Sequence, residues 1–277
     1  MSADLHLHTL HSDGSWTTQQ LVDAAVEKNL KTIAITDHDT VAGISEGIEY
    51  AAGRLEVIPG IEINTIYERN GKRKDIHILG LFIDPTSPAL ANVIQRQQDA
   101  RNRLVDETVS KCQSLGIPLT HELVTDCAGT GSIGRPHLTR AIVKAGGADS
   151  INEAWERFMR SSSPDYIARY SVAPEEAIAA IAQAGGISSI AHPSKDVDME
   201  LIIPELKKDG LRAIEAFHRS HSLEVVRKYL KMATSYDMLI TGGSDCHGPS
   251  DGYPASIGTI RVPPDVVSNL RAALSKV

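Results

Sequence analysis

The chain has 277 residues, 42% of them hydrophobic and 23% charged, a globular composition that argues against disorder and suffices for one large α/β domain carrying a decoration. Its net charge of -7 argues against broad capture of long duplex nucleic acid, although a local basic pocket could still hold one phosphate. No stretch is apolar for the length a bilayer requires, and the amino terminus lacks a basic patch leading into an apolar run, so no membrane contact is expected and a cytoplasmic location is the default.

In chain order, the first predicted element is a strand over residues 3 to 8. There Asp4-Leu5-His6-Leu7-His8 alternates, so that His6 and His8 project from one face and Leu5 and Leu7 from the other. A helix follows in TTQQLVDAAVEKNL, opened by a capping-box pattern at Thr17 and Gln20. KTIAIT at 31 to 36, LEVIPGIEI at 55 to 63 and DIHILGLFI at 75 to 83 read as further buried strands. From about residue 88 to 168 the pattern breaks, and polar sequence such as NVIQRQQDARNRLVDETVSKCQSLG predicts a helical insertion of the kind that forms a lid or a recognition wall. Beyond it come a helix in APEEAIAAIAQAGG and strands in GISSIAH (186 to 192), LRAIEAF (211 to 217) and MLITGGSD (238 to 245). Strand and helix alternating in this way imply a parallel sheet, and seven repeats favour a barrel. The expected organisation is an α/β barrel from 1–87 and 169–277, with 88–168 as the insertion.

The strand ends carry the chemistry. TDHDT supplies Asp37, His38 and Asp39, PGIEI supplies Glu62, DIHIL supplies His77, AHP supplies His192, EAFH ends on His218, and GGSDCHG supplies Asp245 and His247. Any one of these could be structural, and Asp37 or Asp39 could cap the next helix. Their joint occurrence is what a packed core does not need, because in parallel α/β barrels the reacting groups come from the carboxyl ends of several strands. Imidazole and carboxylate without thiolate suit manganese, iron or zinc, and the donors are too many for one ion. Clustered divalent ions lower the pKa of a bridging water and clamp both oxygens of a phosphate ester, which makes hydrolysis the natural chemistry. The cysteines, Cys112, Cys127 and Cys246, form no CxxC spacing and indicate neither a disulfide framework nor a cysteine zinc site.

The motifs HLHTLHSDG, TDHDT, PGIEI, DIHILGL, AHP and GSDCHG, spread over residues 4 to 248, resemble those of the PHP (polymerase and histidinol phosphatase) superfamily. That resemblance implies a distorted (β/α)7 barrel and two to three divalent ions, with manganese first and iron or zinc as alternatives. It implies one ion on His6, His8 and Asp245, with Glu62 shared between that ion and a second one completed by His77 and His192. A third would lie on Asp13, His38 and His247, with Asp37 and Asp39 orienting ligands from behind. The insertion is similar to that of a branch acting on nucleoside 3',5'-bisphosphates or trimming short 5'-phosphorylated RNAs, by attack of a metal-bridging hydroxide. In that branch Arg135, in SIGRPHLTR, matches a phosphate-binding arginine and His218 a phosphate-binding histidine. A guanidinium fork and a protonated imidazole both suit phosphate oxygens. Against this, Pro136 gives Arg135 the look of a helix-start surface residue.

Two other readings stay open. One is histidinol phosphate hydrolysis, against which the Arg135 insertion weighs mildly. The other is a non-catalytic, metal-binding regulatory module, against which the undegraded ligand set weighs. His11, His121 and His221 are expected in loop, helix-start and surface roles, Arg169 and Tyr170 in packing or base contact, and Cys246 buried and inert.

Overall fold

A computed structural model describes residues 2–69, 71–129, 131–193, 198–249 and 254–275. Seven strands follow the expected order: β1 Ala3–Leu7, β2 Thr32–Ile35, β3 Glu56–Arg69, β4 Lys72–Leu81, β5 Ile187–Ile190, β6 Ala213–His218 and β7 Leu239–Gly243. They form one sheet in sequence order. Its ends meet where Leu7 and Cys246 form a parallel bridge and the His8 N–H donates to the Cys246 carbonyl at 3.0 Å. The fold is therefore an α/β barrel that is nearly closed.

The sheet is not wholly parallel. β4 runs antiparallel to both β3 and β5, while the remaining neighbours are parallel. The cause lies in how little chain separates β3 from β4: Arg69 pairs with Lys72, a gap too short to carry a crossover helix, and Gly71 adopts φ +73°. The expected strand-helix repeat fails at this one step. Because β4 is reversed, its early half reaches the rim where the parallel strands end. The alternation of β1 is also interrupted. Its register shifts between Asp4 and Leu7, and Leu5 and Leu7 pack into different clusters.

Helix α1 (Thr18–Glu27) opens with the expected box: the Thr17 hydroxyl accepts from the Gln20 N–H, and the Gln20 side chain accepts from the Thr17 N–H. Leu21, Val22 and Ala25 of α1 pack with Leu7, Ile33 and Ile35 of β1 and β2. Helix α2 (Ile44–Ala51) follows β2. Another cluster joins Leu5, Ala34, Ile58, Leu81, Ile187 and Ala213, one residue from each of the first six strands, with Val262, Val266 and Leu270. Apolar filling at this level leaves the polar side chains to the other end of the strands.

Packing divides the chain into Met1–Ile94 with Val172–Val277 and a second unit, Gln95–Ser171. Helix α3 (Pro88–Ser114) runs through the first boundary, so the compact insertion begins a turn or two later than the break in strand pattern. The second unit continues with α4 (His121–Ala128), α5 (Arg135–Lys144) and α6 (Ile151–Ala154), the last passing into a π-helical turn, Trp155–Met159. It has a core of its own, including Leu104, Leu119, Leu138, Ile142 and Phe158. Helices α7 (Pro174–Gln183), α8 (Met199–Lys208), α9 (Leu223–Ser235) and α10 (Asp265–Leu274) belong to the barrel unit. No helix among the described residues is long and apolar enough to cross a membrane.

Candidate metal centre

Glu62, fully buried in β3, is the hub. Its Oε2 lies 3.2 Å from His6 Nε2, 3.2 Å from His8 Nε2 and 3.1 Å from His38 Nδ1. Its Oε1 lies 2.9 Å from His77 Nδ1 and 3.1 Å from His192 Nε2. Five imidazoles from four segments thus converge on one carboxylate. Asp245, on the loop after β7, brings Oδ1 to 3.5 Å from His6 Nε2 and 3.3 Å from His8 Nε2. Asp13 lies 3.2 Å from His247 Nε2, 3.9 Å from His38 Nε2 and 4.0 Å from His8 Nδ1.

The nine side chains proposed as ligands come together, but they do not fall into three separate sets. Three groups have donor atoms within 4.8 Å of one another: His6, His8, Glu62 and Asp245; His8, Asp13, His38 and His247; and His38, Glu62 and His77. His8 and His38 each belong to two groups, and His192 joins through Oε1 of Glu62. Positive backbone φ at Asp39 (+54°), His192 (+28°) and Asp245 (+52°) shows that the rim holds these residues in conformations few non-glycine residues adopt.

Many of these approaches lack hydrogen-bond geometry. His6 Nε2, both ring nitrogens of His8, Asp13 Oδ1, Glu62 Oε2 and His218 Nε2 are buried without a hydrogen-bond partner. Orphaned atoms of this kind are costly, and here they converge. Nitrogen and oxygen donors so placed fit divalent cations of the manganese, iron or zinc type. Among the described residues no cysteine joins these groups, and the buried Cys246 has its sulfur accepting from the Gly248 N–H.

The electrostatics agree. Burial would raise the Glu62 carboxyl, but the imidazoles of His38, His6 and His77 hold it well below the usual range. Asp13 and Asp245 are likewise held low against burial, the first by His38 and His247, the second by His6 and by contacts with His218 and His8. Burial depresses His8, yet Asp245 and Glu62 bring it up to about 10. His38 goes the other way, pushed down to about 3 by burial that Glu62 and Asp13 only partly offset. The pocket keeps its carboxylates ionised and demands positive charge beside them.

Behind the donors lies a polar support. Asp37 accepts from the Thr9 N–H (2.7 Å), the Thr9 hydroxyl (2.7 Å) and the Ser12 hydroxyl (2.6 Å), which fixes the loop between His8 and Asp13. Asp39 accepts from the Asn64 N–H and side-chain amide, and that amide lies 3.2 Å from His38 Nδ1. Sequence reading misses Asn64, and it also misses Glu215, a fully buried carboxylate 3.0 Å from His6 Nδ1. Its signal is a lone charge inside the apolar run of β6, where only a paired carboxylate is tolerable.

His218 ends β6, buried, with Nε2 3.5 Å from Asp245 Oδ2 and Nδ1 2.8 Å from the Ser220 hydroxyl. Arg219 sets its guanidinium 3.6 Å from the same Asp245 oxygen. Arg135 is the first residue of α5 in the helical unit, and its guanidinium lies 5.0 Å from the Trp155 ring centre. His11 faces Glu46 at 3.4 Å, His121 pairs with Asp106 at the start of α4, and His221 Nδ1 lies 3.0 Å from the Ala216 carbonyl. The Tyr170 ring lies under the guanidinium of Arg103.

The profile of the PHP domain matches residues 4–240. The 3',5'-nucleoside bisphosphate phosphatase of Chromobacterium violaceum is 29% identical over 256 residues, covering 90% of this chain and 88% of that one. The 5'-3' exoribonuclease Rnm of Escherichia coli is 32% identical, covering 89% and 85%. Among solved structures, a candidate metal-dependent phosphoesterase from Bifidobacterium adolescentis superposes with a TM-score of 0.83 at 31% identity, covering 98% of this chain and 95% of that one.

Proposed function

The chain belongs to the PHP domain family and is a metal-dependent hydrolase of phosphoester bonds, and on that premise we propose that it removes phosphate from nucleotides. The best candidate is a nucleoside 3',5'-bisphosphate, with short 5'-phosphorylated oligonucleotides as related substrates, in keeping with the names its relatives carry. The observation that carries the reading is the convergence of His6, His8, His38, His77 and His192 on the buried carboxylate of Glu62.

We propose His6, His8, Asp13, His38, Glu62, His77, His192, Asp245 and His247 as the ligands, manganese first and more than one ion per chain. Bound there, divalent ions would lower the pKa of a coordinated water and neutralise phosphate oxygens. The chain's own residues do the rest. Asp37 and Asp39 hold the loops that carry Asp13 and His38. His218 offers a ring nitrogen to a phosphate oxygen or the leaving oxygen, and Arg135 offers a guanidinium fork to phosphate.

The test is phosphate release with manganese from adenosine 3',5'-bisphosphate, AMP, a 5'-phosphorylated trinucleotide and histidinol phosphate. The bisphosphate should lead in kcat/KM, and Arg135→Ala should raise its KM more than it lowers kcat. A lead for histidinol phosphate would overturn the nucleotide assignment.

A further inference from the structure

Glu215 touches two proposed ligands at once, one with each carboxylate oxygen. Oε1 lies 3.0 Å from His6 Nδ1, and Oε2 accepts the backbone N–H of His192 at 2.6 Å. Both partners are far away in sequence, and the side chain is fully buried. It approaches no proposed ligand on the nitrogen that faces Glu62: His6 uses Nε2 toward Glu62 and Asp245, and Nδ1 toward Glu215. The His192 contact is to main chain, at a residue with φ +28°.

We propose that Glu215 is a positioning residue of the metal centre, which fixes the tautomer of His6 and the backbone of His192 together. Accepting the Nδ1 proton leaves the Nε2 lone pair of His6 aimed at the centre, and polarisation of that N–H makes Nε2 a stronger donor. Accepting the His192 N–H holds the loop after β5 in the left-handed turn that points the His192 ring at Oε1 of Glu62. A carboxylate is required for the double role. An amide of the same shape has one accepting atom and one donating group, so it loses one contact in either orientation.

The inference rests on the proposed metal assignment, so the test measures binding rather than turnover. Metal-stripped wild type and Glu215→Gln are titrated with Mn2+ by calorimetry, and the thermal midpoints of both metal-free proteins are recorded. The wild type should bind, and the variant should bind about 10–100-fold more weakly with a metal-free midpoint close to wild type. Equal affinity in both proteins overturns the role of Glu215 and leaves the metal assignment standing, whereas a wild type that binds no Mn2+ overturns both. Should the variant fail to fold, nitrogen NMR of zinc-loaded wild type decides. A proton on His6 Nδ1 with Nε2 ligated supports the proposal, and ligation through Nδ1 refutes it.

Discussion

Glu62 carries the heaviest prediction, because its two oxygens face five imidazoles. Glu62→Gln should lower kcat by more than about 100-fold, with metal content falling in parallel by elemental analysis. Activity near wild type would remove Glu62 from the centre. Cys112 gives a prediction away from the site. It is buried in the core of the helical unit, and that burial pushes its thiol up to about 11. The folded value lies above the ordinary thiol value of about 8.5, so the stabilisation it reflects is complete below that pH and is lost as pH rises toward about 11. Peptide mapping at pH 8.5 should therefore show Cys112 alkylated at least about tenfold more slowly in native than in urea-unfolded protein. The proposed ligands are legible in the sequence because they sit in short motifs at strand ends. Glu215 and Asn64 are not: the lone charge in β6 marks Glu215 as paired without saying with what, and Asn64 has no spacing to mark it, so the role of each emerges only from a partner distant in the chain.

At the level of elements, the site depends on how closely β7 approaches β1. A Cβ on Gly243 would come within 2.4 Å of the His6 Cβ and 2.5 Å of its backbone nitrogen. Gly243→Ala should displace His6 and destabilise the fold by about 1–3 kcal/mol in urea unfolding, with activity lost beyond what stability explains. Helix α9 fixes the loop after β5 from behind, where the buried Tyr229 hydroxyl donates to the Pro193 carbonyl at 3.1 Å. Tyr229→Phe should cost about 1 kcal/mol by the same measurement, and no change would mean that the contact contributes nothing. All seven strands are visible in sequence as apolar runs, but the direction of β4 is not read from them. Its signal is the Asn70-Gly71 pair, a hairpin mark that competes with the strand-helix rhythm on either side.

At the scale of the whole molecule, barrel closure is invisible in sequence because it depends on a pairing between Leu7 and Cys246, at opposite ends of the sheet. The polar residues that the motifs mark then gather at one end of the barrel, where buried unpartnered donors set carboxylates against imidazoles. A cation bound only by the folded chain stabilises it by mass action, by about 2.7 kcal/mol at a hundred times its dissociation constant. Manganese should accordingly raise the thermal midpoint of chelator-treated protein, and Glu62→Gln should respond less. Metal dependence of phosphoester hydrolysis is tested most directly by phosphate release from adenosine 3',5'-bisphosphate by chelator-stripped protein, before and after manganese is restored, with His38→Ala beside it. The stripped protein should release none, manganese should restore release, and the variant should release none under either condition; release that survives stripping, or persists in His38→Ala, would rule out a metal centre built on these residues.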